Sequence, residues 1–342
     1  MEEAIKKSEL AFIKDLTRFA TRPMTAQRDE MARGIWWYGT KYISIPLGGG
    51  NRACYVYRPD YENGLKKVVN DEFGDRDKWN QHLKDYKAFT REGSEIVKTA
   101  MNCEQKTLEE CLVAYKKWVS LARDFGKIIL APFALELYLD PECRELLNKE
   151  FGDEADNAFN IICTPGKINE FQQMRLDIIA SITNGQPTAK ELTNKYFWYS
   201  EYSFIEPLLD EKHFDKEIKT ISVEEAKQEQ DKIFHDTEKN KTEFQSIRLK
   251  IKNERLLLLV DVIHEYVFLR TDRIDVWKKA QAQIRNVFLR IYREIIKKDT
   301  SRVWRPEMIP YFLNYEIMDF LADGIVPDFK DLTERLKQNY IC

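Results

Sequence analysis

The clearest hydrophobic pattern in the sequence lies between Glu254 and Lys297. Alternating steps of four and three residues through this segment reach twelve positions, of which ten are apolar. Such a stripe is typical of one helix with a buried seam, and at about 1.5 Å per residue it predicts a length of roughly 65 Å. The positions are Leu256, Val260, Ile263, Val267, Arg270, Ile274, Trp277, Gln281, Ile284, Phe288, Ile291 and Ile295.

Helix-breaking residues are unevenly distributed along the rest of the chain. Neither glycine nor proline occurs between Leu208 and Arg305, where Glu, Lys, Leu, Arg and Gln dominate, and this composition favours helix. The first 20 residues also predict a helix, and Thr107 with Glu110 predicts a capping box at the start of another. Residues 34–58 differ, because aromatic and β-branched residues there flank PLGGGN, which predicts two short strands joined by a glycine loop.

These patterns predict a mainly α fold. We expect a multi-helix bundle with one or two very long helices and a small N-terminal β-hairpin element. Residues 1–75 are predicted to form the N-terminal helix and the small β element, and residues 76–342 a helical domain. Within that domain, the highly charged segment around 208–255 predicts a protruding pair of helices whose charges form a solvated face.

Composition and charge narrow the classes of function. The formal net charge is −3 over 342 residues, and a duplex nucleic-acid binder normally carries a basic excess, so we expect no nucleic-acid partner. The most apolar run, at 256–263, is too short to span a bilayer, and we expect no membrane association. Six scattered cysteines without a C-x-x-C pair favour reduced thiols and a cytoplasmic location. The four histidines lack matching partners, so we expect no metal site.

The segment KYFWYSEYSF places six aromatic rings in nine positions on a predicted helix. Buried tyrosine and tryptophan side chains need hydrogen-bond partners for their O–H and N–H groups. The cluster is therefore either packed core or the wall of a ligand pocket with a few polar anchors. In the second interpretation the substrate-binding residues are Lys195, Trp198, Tyr199 and Tyr202.

Arg270 is a polar residue on the predicted buried seam. A buried guanidinium is costly unless it is paired, so Arg270 either meets a carboxylate in the core or faces a cavity that holds an anion. Tyr266, Arg270, Arg273 and Trp277 follow four-, three- and four-residue spacing and share one helix face. Two arginines between two rings could bind a phosphate or a carboxylate, and the alternative is an internal Arg–Glu network that sets helix register.

Several segments together resemble a known family. LTNKYFWYSEYSFIEPL, the long helix with its R-x-x-R spacing, RVWRPEMIPYFLNYEIMDFLADG and KINEFQQMRLDIIASI occur in an order similar to that in phosphoenolpyruvate-utilising phosphotransferases. These are relatives of phosphoenolpyruvate synthase and include the rifamycin phosphotransferases. The resemblance is to their helical middle region and covers about residues 100–335.

The resemblance implies a role within a multi-component reaction. In that family an ATP-grasp domain phosphorylates a histidine on a swivelling domain, which carries the phosphoryl group to a separate acceptor region. We expect neither domain in this chain. In particular, its four histidines lack the small-residue context of a phosphohistidine.

The resemblance thus implies a substrate-binding helical module with no cofactor in this chain, using ATP through a partner and acting with separate ATP-grasp and phosphohistidine proteins. Its polar or phosphorylated small molecule would lie between the aromatic helix and the Arg270/Arg273 helix. The alternative is a structural or protein-interaction helical protein without catalytic activity. A self-sufficient enzyme is a third possibility, but the sequence offers no convincing nucleophile or base for it.

Overall fold

The computed structural model describes residues 10–12, 42–48, 51–101, 103–199, 208–305, 308 and 311–340, and these are mainly α-helical. The helices are α1 (Arg58–Glu72), α2 (Arg76–Ala100), α3 (Leu108–Ile128), α4 (Ala131–Ala134), α5 (Asp140–Phe151), α6 (Ala155–Ile162), α7 (Glu170–Asn184), α8 (Ala189–Tyr196), α9 (Glu211–Thr220), α10 (Val223–Lys250), α11 (Glu254–Lys298), α12 (Asn314–Asp323) and α13 (Phe329–Tyr340). A π-helical turn, Leu135–Leu139, joins α4 to α5.

Three short strands precede the helices. They are β1 (Leu10–Phe12), β2 (Tyr42–Gly48) and β3 (Asn51–Tyr57), with β3 in the middle of an antiparallel sheet. Only residues 10–12 of the predicted N-terminal helix are described, and they form a strand that pairs with β3 instead of a helix. The other residues of that predicted helix lie outside the described part of the chain.

Capping residues that can be recognised in the sequence determine several helix ends. The predicted capping box is confirmed: the side chain of Thr107 accepts from the amide of Glu110, whose carboxylate accepts from the amide of Thr107. Helix α7 ends at Gly185, whose φ of 73° is left-handed and therefore suits a residue without a side chain.

Helix α11 is the central element of the main core. It is 45 residues long, which corresponds to about 67 Å at about 1.5 Å per residue, and it packs against α2 and α3. The single long helix predicted from the hydrophobic pattern therefore forms.

The seam predicted on α11 is wrong in its middle. There the buried positions follow a neighbouring series with the same alternating four- and three-residue spacing, and we call each such series a ladder. Arg270 is exposed and Gln281 is half-buried. Both ladders are rich in apolar residues because α11 buries a broad face, so the spacing alone does not decide which polar residue lies inside. The buried ladder is Val262, Tyr266, Leu269, Arg273, Val276, Ala280, Gln283 and Val287.

The charged segment predicted to form a helical pair corresponds to α9 and α10. Arg175 of α7 holds both helices, because its guanidinium bonds Glu217 of α9 at 2.9 Å and Glu229 of α10 at 2.7 and 2.8 Å. Only three of the 28 residues of α10 are buried, so most of its charged surface faces solvent. No helix in the described ranges combines the length and the apolar character needed to cross a membrane.

Helices α2 and α11 are in close contact at Gly93. A Cβ added at Gly93 would lie 2.5 Å from Cγ1 of Val276, well inside van der Waals contact. Valine is stiff at χ1, so its methyl group cannot turn away freely. Glycine at position 93 therefore sets the separation of the two helices.

We expect Gly93→Ala to destabilise the protein. Overpacking costs about 1–3 kcal/mol, which exceeds the gain of up to about 1 kcal/mol from helix propensity. Urea unfolding would measure the difference, with Ser94→Ala on the exposed side of the same helix as the control. In a Val276→Ala background the same glycine substitution should cost less, and an unchanged cost would contradict this explanation.

Candidate functional site

Arg270 does not occupy the buried position that the sequence pattern predicts. Its side chain is 54% exposed, and Nη1 lies 2.8 Å from Oε1 of Glu136 in the π-helical turn. It therefore takes part in a surface ion pair and faces no interior cavity. The physical reason is the ladder shift on α11, which places Arg273 inside and Arg270 outside.

The aromatic segment is core where the structure describes it. Helix α8 ends at Tyr196, and Phe197–Tyr199 form a 3₁₀ turn, so the predicted helix stops earlier than expected. Tyr196 and Trp198 are buried in a small second core with Met174, Leu192 and Phe214. Tyr202 lies outside the described residues.

Lys195, Tyr196 and Trp198 find partners for their polar groups within the protein. The Tyr196 hydroxyl donates to Oδ2 of Asp177 at 2.8 Å, and Nε1 of Trp198 donates to the carbonyl of Lys195 at 2.8 Å. Lys195 Nζ also reaches Oδ2 of Asp177, at 2.6 Å. Because these partners come from the neighbouring helices α7 and α8, these three residues need no ligand to complete their hydrogen bonds.

The structure separates the two halves of the predicted site. The 3₁₀ turn rests on α11 beside Lys278 and Lys279, whose ammonium groups lie 5.1 Å from the Tyr199 ring and 4.8 Å from the Trp198 ring. Lys278 is eight residues beyond Arg270, which is about 12 Å along the helix. Trp277 is also core, stacked on Phe125 with ring centroids 5.2 Å apart.

Tyr266 and Arg273 remain together, but against α2. The Tyr266 ring packs on Phe73, Trp79 and His82, with centroid distances of 5.8, 6.4 and 5.7 Å. Arg273 is 4% exposed, and no carboxylate of the residues described by the structure forms an ion pair with it. Burial lowers the pKa of Arg273, while the nearby Tyr266 and Tyr86 side chains favour its charged form.

Three side chains in this region carry buried polar atoms with no hydrogen-bond partner of good geometry among the described residues, and we call them the buried polar cluster. They are His82 at Nε2, Tyr266 at its hydroxyl and Arg273 at Nε and Nη1, and the Tyr266 hydroxyl interacts with the Arg273 side chain beside it. His82 is held through Nδ1, which lies 3.0 Å from Oε2 of Glu72. Polar atoms left unpaired inside a protein are costly, and they commonly mark a bound molecule or ordered water.

A cavity of about 360 Å³ is lined in part by His82, whereas Tyr266 and Arg273 are not among its lining residues. It opens between α1, α2 and α3, and its charged lining contains four carboxylates and one lysine. That lysine, Lys127, is bonded to one of the four, Asp124, at 2.9 Å. The lining residues are Glu72, His82, Asp85, Tyr86, Ala88, Phe89, Glu92, Asp124, Lys127 and Ile128.

Two residues that line the cavity also contact the side chains of the neighbouring helix α11. His82 lines the cavity and is itself a member of the cluster. The Tyr86 hydroxyl lies 2.9 Å from Oδ2 of Asp272 and 3.3 Å from the carbonyl of Leu269, and the side chain interacts electrostatically with Arg273. Burial, reinforced by Asp272, raises the pKa of Tyr86, so this hydroxyl stays protonated.

Sequence reasoning missed this cavity because its lining comes from three helices. A weak signal exists on α2, where His82, Tyr86 and Phe89 follow four- and three-residue spacing and share a face with Asp85 and Glu92. In the sequence, this face resembles the border between the apolar and polar faces of an ordinary amphipathic helix. Only the packing of α1 and α3 beside it shows that it lines a cavity.

No protein-family model matches the sequence, and no curated protein matches it either. The resemblance to phosphoenolpyruvate-utilising phosphotransferases therefore stays a prediction. Across the described residues, no group of three or more histidine, cysteine, aspartate or glutamate side chains is arranged to hold a metal ion.

Asp275 is a second buried charge on α11, close to the cluster in sequence. It is 3% exposed, and its Oδ2 has no hydrogen-bond partner. Burial raises its pKa to about 7, although Lys278 and Lys279 favour the ionised form. Between about pH 4 and 7 the folded protein therefore binds a proton that the unfolded chain releases, so this group's contribution to stability falls as pH rises.

We expect Asp275→Asn to stabilise the protein above pH 7. The variant removes the cost of ionising a buried carboxyl, and a pKa shift of one unit corresponds to about 1.4 kcal/mol. Urea unfolding at pH 5, 6, 7 and 8 would show a gain that grows with pH and levels off above 7. The control is Asp319→Asn on the exposed face of α12; a gain that is independent of pH would contradict the assignment.

Proposed function

We propose that this chain is a substrate-binding helical module that holds a small polar molecule in the cavity between α1, α2 and α3. The observation that carries the proposal is His82, which lines the cavity and whose buried Nε2 has no hydrogen-bond partner among the described residues. Nε and Nη1 of Arg273, beside Tyr266, are also buried without partners there, although Arg273 does not itself line the cavity. A ligand that bonds these atoms would offset the cost of burying them.

The cavity has the general character of a small-molecule site. Its volume of about 360 Å³ falls within the usual range of ligand pockets, roughly 300–1,000 Å³. Its lining combines aromatic surface from Phe89 and Tyr86 with a few polar groups that could orient a ligand. Of the residues predicted from the sequence, Tyr266 and Arg273 keep a place in this proposal, whereas Arg270, Lys195 and Trp198 have protein partners instead.

The resemblance to phosphoenolpyruvate-utilising phosphotransferases supports a place in a phosphoryl-transfer system. In this proposal separate ATP-grasp and phosphohistidine proteins use ATP and deliver the phosphoryl group, and this chain presents the acceptor. No cofactor is assigned to this chain, and the cytoplasmic location predicted from its cysteines suits such partners.

Because carboxylates line the cavity, we expect its ligand to be polar but to carry no phosphate group. A phosphate group there would face Asp85, Glu92 and Asp124, which disfavour a further negative charge. The phosphorylated ligand suggested by the family resemblance is therefore the less favoured form, and an unphosphorylated acceptor fits better.

We expect filling the cavity to abolish ligand binding. Ala88 is half-buried and lines the cavity, so Ala88→Leu would occupy its space without replacing a core residue. Saturation-transfer NMR with acetate, lactate, 4-aminobutyrate, spermidine and inorganic phosphate would identify which small molecules contact the protein. Those that bind the wild type should lose the signal in Ala88→Leu and keep it in Ser94→Ala, on the exposed side of the same helix.

Arg273→Met provides the complementary test. An apolar side chain of similar length should raise the melting temperature, because a buried unpaired charge is removed, and should weaken binding of any ligand that carries an acceptor group. Binding that persists unchanged in both Ala88→Leu and Arg273→Met would contradict the proposed site. A stable oligomer by light scattering, with no binding of any probe, would instead favour the structural or protein-interaction alternative.

A further inference from the structure

We infer that the cavity binds an uncharged polyhydroxylated molecule, and that Nε2 of His82 accepts a hydrogen bond from one of its hydroxyl groups. The inference rests on the proposed function, and it names the class of the ligand and the atom that recognises it. It follows from the way His82 is held and from the pairing of the charges around it.

His82 is held so that one of its ring nitrogens is left without a partner. Nδ1 lies 3.0 Å from Oε2 of Glu72, and a carboxylate accepts hydrogen bonds, so Nδ1 is the nitrogen that carries the proton. In the neutral imidazole the other nitrogen, Nε2, is then an acceptor. Nε2 is buried, and no described residue bonds it. Because the His82 side chain lines the cavity, a ligand hydroxyl can supply the missing donor.

Three aromatic rings fix the orientation of this imidazole. Trp79 stacks on it with ring centroids 5.5 Å apart, and Phe73 meets it edge-on at 5.2 Å. The Tyr266 ring packs on it at 5.7 Å. Together with the bond to Glu72, these contacts hold the ring in one position, so Nε2 has a preset direction. A recognition group that is fixed in this way loses little entropy on binding.

The carboxylates of the lining are mostly paired already. Three of the four have protein partners: Glu72 with His82, Asp124 with Lys127 and Asp85 with Gln81. Burial raises the pKa of the fourth, Glu92, and so favours its neutral form. A cation would therefore find little unpaired negative charge in the cavity, whereas an anion would be repelled by it. An uncharged ligand avoids both costs.

The remaining lining suits a molecule that brings its own hydrogen-bond donors. The carboxyl oxygens of Glu92 and Asp85 can accept further hydrogen bonds, and the ring of Phe89 offers apolar surface to the carbon chain of the ligand. The hydroxyl of Tyr86 is bonded to Asp272 at 2.9 Å, so its proton is already used. A hydroxyl group is also what an acceptor of a phosphoryl group would provide, which agrees with the proposed function.

Matched probes test the class of the ligand. Glycerol would be compared by NMR titration with glycerate, serinol and glycerol trimethyl ether, and glucitol with gluconate and glucamine. The acids add a negative charge, the amines add a positive charge, and the ether keeps the oxygen acceptors but has no donor. We expect one polyol to bind about tenfold more tightly than its acid, and more tightly than its amine, with no binding of the ether. Equal or tighter binding of an acid, an amine or the ether overturns the inference.

NMR of the histidine itself tests the recognising atom. Long-range proton–nitrogen spectra at pH 8, where an ordinary imidazole is neutral, should show the proton of His82 on Nδ1. A bound polyol should then shift the nitrogen resonance of Nε2 much more than that of Nδ1. The absence of this signal in His82→Phe assigns it. A proton on Nε2, or a shift confined to another histidine, would contradict the assignment.

The variant His82→Phe removes the acceptor and keeps a ring among its aromatic neighbours. It should weaken polyol binding about tenfold, because the ligand hydroxyl loses its partner. His235→Phe makes the same substitution at an exposed position of α10 and should leave binding unchanged. Melting temperatures would show that both variants are folded, and the spectra of the wild-type protein test Nε2 without any variant.

The outcomes separate this inference from the proposed function. Polyol binding that is lost in Ala88→Leu but unchanged in His82→Phe overturns the role of His82 and leaves the proposed site. If no polyol binds while another probe does, and that probe is lost in Ala88→Leu, the ligand class is wrong and the site stands. Polyol binding that survives in both variants places the ligand elsewhere and overturns both proposals.

Discussion

The burial of one guanidinium without an acidic partner is the constraint on which the rest of this structure depends. Arg273 lies on the buried ladder of α11, between Leu269 and Val276, where every other member of that ladder is apolar or aromatic except Gln283. Removing a charge from water without a partner costs several kcal/mol. A residue that lowers stability in this way is commonly retained because it contributes to function, for example as part of a binding site.

The packing of α2 on α11 determines what surrounds that charge. Gly93 lets the two helices meet at Val276, and this contact fixes the position of the α2 residues one to three turns earlier. His82 and Tyr86 of α2 line the cavity, while Glu72 at the end of α1 holds the His82 ring. The site is thus built on rigid helices, which favours a preformed geometry over one that forms on binding.

The aromatic residues divide into two groups with different roles. Tyr196 and Trp198 close a small core between α7, α8 and α9, and their polar atoms find partners in that core. Tyr266 lies in the main core, among rings from α2 and the loop before it, and its hydroxyl is buried beside Arg273. The rings of Tyr196 and Trp198 therefore mark core packing, and the buried hydroxyl of Tyr266 belongs to the candidate site.

The sequence by itself determined the helical class, the length of α11 and several helix ends, because these depend on local spacing, capping and the absence of helix breakers. This information is local. At Thr107, at Gly185 and along the stripe from Leu256 to Ile295, the residues that act together lie only a few positions apart in the sequence. It also placed Tyr266 and Arg273 on one helix face with Arg270, the residue that it singled out as unusual. Only the tertiary structure decided that Arg273 is inside and Arg270 outside, since two adjacent ladders of α11 are equally apolar and the choice depends on where α2 and α3 pack. The cavity likewise combines side chains from three helices, so its charge and shape exist only after those helices have assembled.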